Sequence, residues 1–150
     1  LEEAIALCRG DFLEGFSLKD SPAFEDWSLL LRERLRRHSL TALCHLSEHY
    51  ERRGEYERAS KYAWRQVELE PWREEAHRQL MRLLAFNGQR GAALAQYETC
   101  KQLLSSELDI TPADETTALY ERIRVGNSGP APIGENALVA SASAITAAPR

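Results

Sequence analysis

GEYERA, spanning Gly54–Ala59, returns 34 positions later as GQRGAA, spanning Gly88–Ala93. A glycine opens each copy, and a small residue, Ala59 or Ala93, stands five positions on. Working outward, Ala42 and Ala76, Leu46 and Leu80, and Tyr50 and Leu84 keep the same offset, and Pro71 closes the first unit where Ser105 stands in the second. Apolar residues on either side of each glycine recur at helical spacing, and no stretch alternates strictly enough for a strand. Each unit therefore reads as a helix, a glycine turn and a second helix.

A 34-residue period of this kind is the tetratricopeptide pattern. One helix pair cannot bury its apolar face alone, so pairs stack and leave a surface suited to binding. The expected fold is all-α: a right-handed, tetratricopeptide-like array of antiparallel helix pairs with a capping C-terminal helix, over residues 1–124. Residues 125–150, rich in Ala, Pro, Gly and Ser, read as a linker or tail.

The helices can be placed from local signals. Leu1–Cys8 reads as a short helix, and Gly10–Asp20 as a loop whose Phe12, Leu13 and Phe16 fold back as plugs. Ser21 as N-cap, Pro22 at the first helical position and acidic Glu25 and Asp26 start the next helix. Its apolar stripe, Trp27, Leu31, Leu35, Ala42, Leu46 and Tyr50, meets no breaker before Arg52–Arg53–Gly54. One helix of nearly thirty residues, or two meeting near His38–Ser39, would both fit. Tyr56, Ala59, Ala63 and Val67 share a face of the following helix, which should end before Pro71; Ala76, Leu80, Leu83 and Leu84 face inward on the next, which should end at Asn87–Gly88. Ala93, Tyr97, Cys100 and Leu104 form the stripe after that. Thr111, with Asp114 three residues on, reads as the N-cap of a last helix carrying Leu119, Tyr120 and Ile123.

Composition narrows the function classes. Nineteen basic and 23 acidic side chains leave a net charge of −4, which argues against this chain gripping nucleic acid by itself. No run approaches the roughly 18 apolar residues of a membrane span, and acidic residues stand where a signal peptide would be basic. Leu1 is not a natural start, so the chain reads as part of a larger protein. Cys8, Cys44 and Cys100 are too few and too scattered for a disulfide framework and read as buried, reduced thiols of a cytoplasmic protein.

No catalytic constellation, cofactor motif or complete metal-ligand set is present. His38, His45 and His49 share one helix face, which could pair two ligands on a zinc ion but lacks a third and fourth; a solvated face is the plainer reading. Arg32, Arg34, Arg36 and Arg37, interleaved with Glu33, read by default as a solvated charged face, the alternative being a patch for phosphate or acidic partners. Trp64 and Trp72 are expected to pack in the core.

Arg78 and Arg82 lie one turn apart on the helix that lines the groove of a tetratricopeptide unit, and two guanidinium groups so spaced can fork to carboxylates. Glu48 and Glu75 belong to the same candidate partner-binding set. Intramolecular pairing with Glu74, Glu75 or Glu48 is the competing explanation. Glu57 and Arg58 lie on the outer turn, and reversing their charges should leave partner capture and activation unchanged.

Taken together, GDFLEGF (Gly10–Phe16), FEDW (Phe24–Trp27), RRGEYERA (Arg52–Ala59), the run Leu69–Cys100 and ETTALYERI (Glu115–Ile123) resemble the bacterial transcriptional activator domain. That helical module occurs in SARP-type antibiotic regulatory proteins and in larger ATPase-containing regulators. The resemblance covers about residues 1–124. It implies a non-enzymatic, cytoplasmic interaction module that couples an upstream winged-helix DNA-binding domain to RNA polymerase, to a sensor domain or to self-association as a homodimer. The alternative is a tetratricopeptide scaffold of a signalling ATPase that does not act at promoters.

Overall fold

A computed structural model describes residues 1–8, 10, 12–16 and 21–126; the tail expected after Gly126 lies outside the described residues. Among them the structure is helical, without strands: α1 (Glu2–Leu7), α2 (Pro22–Arg52), α3 (Tyr56–Leu69), α4 (Glu74–Phe86), α5 (Arg90–Leu108) and α6 (Asp114–Val125). Each helix packs on its chain neighbour, and α6 also reaches back onto α4. This is the all-α, tetratricopeptide-like array that the 34-residue period implies.

The period is written into the backbone as well as the sequence. Gly54 and Gly88 hold φ of 73° and 76°, a left-handed conformation that costs glycine little. Past each glycine the same bonds recur: Glu55 N–H donates to Tyr50 O and Gln89 N–H to Leu84 O, while Ala59 N–H donates to Glu55 O and Ala93 N–H to Gln89 O. Ala59 and Ala93 have no exposed surface. The Ser47 hydroxyl donates to Ala59 O at 3.1 Å, so α2 and α3 approach closely at that alanine.

The two units differ where proline is lost. Helix α3 stops at Leu69, two residues before Pro71, whereas α5 runs through Ser105 to Leu108 because serine keeps its N–H and lacks the ring that would break the ladder. Helix α5 then ends on Asp109 in the left-handed conformation, φ 53°.

Helix α2 is one continuous helix of 31 residues. Its core face is Leu40, Leu43, Leu46, Ser47 and Tyr50, and the expected stripe holds only over this C-terminal half. Trp27 and Leu35 are 51% and 40% exposed, and this N-terminal half is met mainly by the loop before it. Phe12 packs edge-on against Trp27 at 6.2 Å and Phe16 against Phe24 at 5.8 Å, while Arg32 donates to the carbonyls of Phe12 and Leu13 at 2.6 and 2.7 Å.

Several local expectations are corrected. Trp64 and Trp72 are 42% and 53% exposed; Trp64 lies one helical step off the face made by Ala59, Ala63 and Val67, and Trp72 sits in the turn beyond Pro71. Cys8 is exposed and Cys44 only half-buried; Cys100 alone is buried, its thiol pushed up to about 11 by desolvation. Ser21 makes no side-chain cap. Thr111 is not the cap of α6 either, which begins at Asp114 after Ala113. The carboxylate of Glu74, on α4, does that work by accepting from Ala113 N–H at 2.9 Å and from the Thr116 hydroxyl at 2.6 Å. Glu74→Ala should therefore cost about 1–2 kcal/mol, the worth of a lost cap, measured by urea unfolding, with amide exchange accelerated first in α6.

The Glu2 carboxylate accepts from the hydroxyls of Tyr50 and Tyr62 and from Arg58, and the guanidinium lies over the Tyr50 ring, 4.1 Å from its centroid. The tyrosine hydroxyls, ahead of Arg58, hold Glu2 below the usual carboxylate range. This clasp fastens α1 to the array.

His77, at the start of α4, is wholly buried. Its Nε2 lies 2.7 Å from Pro71 O, and its Nδ1 2.7 Å from Gln96 Nε2. A carbonyl can only accept, so Nε2 carries the proton and Nδ1 accepts from the Gln96 amide. One neutral ring thereby ties the α3–α4 turn to α5, and desolvation holds its pKa below the ordinary 6.5.

Candidate partner-binding cleft

The 34-residue offset equates Cys44 with Arg78 and Glu48 with Arg82. Helices α2 and α4 present these matched positions to the same space, a cleft of about 270 Å³ whose floor is completed by Gln66, Ala76 and Gln79. The structure brings Arg78, Arg82, Glu48 and Glu75 to this one cleft and adds Arg73 and Cys44. The Gln66 amide donates to Gln79 Oε1 at 3.1 Å, so the polar floor is internally satisfied.

The two arginines are held differently. Arg82 forks onto Glu51 across the α2–α4 gap, with Nε and Nη2 3.1 and 3.3 Å from the two carboxylate oxygens. Glu51, one turn beyond Glu48, was not among the expected partners; the long arginine reaches past the residue at its own register. Arg78 donates to the Thr116 hydroxyl at 3.0 Å and stands 3.6 Å from the highly exposed Glu75 carboxylate. Arg73 makes similarly long contacts, 3.7 Å to Glu70 and 3.8 Å to Glu75. Such exposed pairs contribute little, about 0–1 kcal/mol, and exchange readily for another carboxylate. Arg82 is braced by the paired oxygens of Glu51, whereas the carboxylate contacts of Arg73 and Arg78 are longer.

Glu48 accepts from the Cys44 thiol at 3.5 Å. Desolvation first, and then the Glu48 charge, push that thiol up, so Cys44 stays protonated and is a poor nucleophile. His38, His45 and His49 are exposed on α2, away from the cleft; His49 meets Tyr50 edge-on. Among the described residues, no three His, Cys, Asp or Glu side chains gather as metal ligands, and no helix is long and apolar enough to cross a membrane.

The cleft sets charged side chains around a polar floor. Its residues come from both repeats, so it exists only when the two units stack. No curated protein and no solved structure matches the chain. The bacterial transcriptional activator domain matches residues 1–124, which takes in all six helices but for the last residue of α6. The chain therefore belongs to the bacterial transcriptional activator domain family, a family of regulatory rather than enzymatic modules.

Proposed function

We propose that this chain is the protein-interaction module of a bacterial transcriptional regulator working in the cytoplasm, and that its α2–α4 cleft docks an acidic segment of a protein partner. RNA polymerase, a sensor domain of the regulator and a second copy of the chain are the partners that fit. The module would couple promoter binding by a separate DNA-binding domain to that partner, making no direct nucleic-acid contact itself. One observation supports this reading above the others: three guanidinium groups, Arg73, Arg78 and Arg82, meet at one cleft, and the carboxylate contacts of Arg73 and Arg78 are long ones to the exposed Glu75 and to Glu70.

The test fuses the chain to a heterologous DNA-binding domain and reads activation of a reporter. Arg78→Glu with Arg82→Glu should lower activation at least tenfold. Arg82→Glu also faces Glu51, so a lower melting temperature is expected of that variant. The neutral pair Arg78→Gln with Arg82→Gln separates the two effects: it should lose activation while keeping helicity and near-native melting. Normal activation by the folded neutral pair would place docking on another face.

A further inference from the structure

A second, larger cavity of about 450 Å³ lies between α1, the N-terminal half of α2 and the end of α3. Ile5, Leu7, Leu35, Leu43 and Leu69 supply its apolar wall. Three arginines, Arg32, Arg36 and Arg65, stand on the lining with one carboxylate, Glu68. None of the three forms an ion pair among the described residues. Arg32 donates to the carbonyls of Phe12 and Leu13, and Arg65 to those of Ile5 and Cys8, at 3.2 and 2.7 Å. Neutral carbonyls orient these guanidiniums without cancelling their charge.

Arg36 is the least satisfied. It donates through Nη2 to Leu69 O and lies 5.7 Å from the centroid of the Trp72 ring. Its Nε is buried with no hydrogen-bond partner. Buried N–H groups are almost always paired in folded proteins, and an orphan beside a cavity points to a missing acceptor. A charge-assisted bond from a carboxylate would supply both the acceptor and the counter-charge.

We propose that this cavity binds a small amphipathic carboxylic acid, with its apolar body against Leu35, Leu43 and Leu69 and its carboxylate on Arg36. The volume falls in the usual range for small-molecule sites, about 300–1,000 Å³, and an apolar wall with few convergent polar groups is their usual make-up. The site is separate from the α2–α4 cleft and shares no lining residue with it. Because Ile5 and Leu7 of α1, with Gly10 and Phe12 after it, line one side, an occupant would also strengthen the seating of α1 on the array.

Octanoate is the probe, with 1-octanol and octylammonium as its neutral and cationic counterparts, titrated into the whole chain and followed by methyl and indole NMR shifts. Octanoate should shift the Leu35, Leu43 and Leu69 methyls and the Trp72 indole saturably, and bind at least tenfold tighter than either counterpart. Arg36→Gln should abolish that preference while leaving the circular dichroism unchanged, and Arg36→Lys, which keeps the charge, should retain part of it. Equal binding of all three probes, shifts confined to other regions, or unaltered octanoate binding by folded Arg36→Gln would each overturn the proposal.

Discussion

Replacing His77 with leucine is expected to cost about 3 kcal/mol in urea unfolding, although leucine nearly matches the ring in volume. The substitution leaves the buried Gln96 amide and the part-buried Pro71 O without these partners, and each such orphan costs about 1–3 kcal/mol. The same residue makes stability depend on pH. Desolvation, the largest influence, lowers the folded-state pKa below the unfolded 6.5, so the folded protein binds fewer protons than the unfolded chain in that range. The stabilisation from neutral His77 is complete above pH 6.5 and is lost as pH falls from there through the lower folded value. Protonation would put a second N–H against the Gln96 amide, which must then turn to offer its oxygen. Urea midpoints at pH 7.5, 6.5 and 5.5 should fall for the wild type and fall less for His77→Leu. Parallel slopes would show that the ring is not kept neutral by the fold.

The second large effect is expected at the paired alanines. Ala59→Leu and Ala93→Leu should each cost about 1–3 kcal/mol by overpacking a contact with no free surface. At Ala59 the backbone carbonyl lies within hydrogen-bond distance of Ser47 on α2, so a longer side chain must push the helices apart. The alanines stand at matching positions in different helix pairs, so their costs should add to about 2–6 kcal/mol in the double variant. Calorimetric melting checks this: midpoints unchanged in both single variants would mean that neither alanine lies at a helix crossing.

The proposed cleft was legible to an unusual degree. Arg78, Arg82, Glu48 and Glu75 are surface-type residues at repeat positions, and periodicity alone places them on groove-facing turns. Their partners were not legible. Arg82 chooses Glu51 over Glu48, and Arg78 reaches Thr116 on α6, because side-chain reach across a gap depends on how far apart the helices sit. The tryptophans were misplaced for another reason: aromatic character suggests burial, but Trp64 stands one step off the core face of α3 and Trp72 in the turn beyond Pro71. His77 drew no notice in the sequence because a lone histidine on a helix carries no spacing signal.

What the chain's own order determined is the helical repeat. The glycines at 54 and 88, the alanines at 59 and 93 and the apolar period act over a few residues, through left-handed turns and one-sided hydrophobic faces, and local physics is enough to read them. Pro71 and its replacement by Ser105 likewise set where α3 stops and α5 continues. Only the tertiary structure decided that Glu74 rather than Thr111 caps α6, that Arg58 and two tyrosines clasp Glu2, and that Arg36 is left with a buried, unpaired N–H beside a cavity. Each joins residues 33–60 positions apart in the chain, and such pairings follow from how helices stack in space, which no short-range pattern encodes.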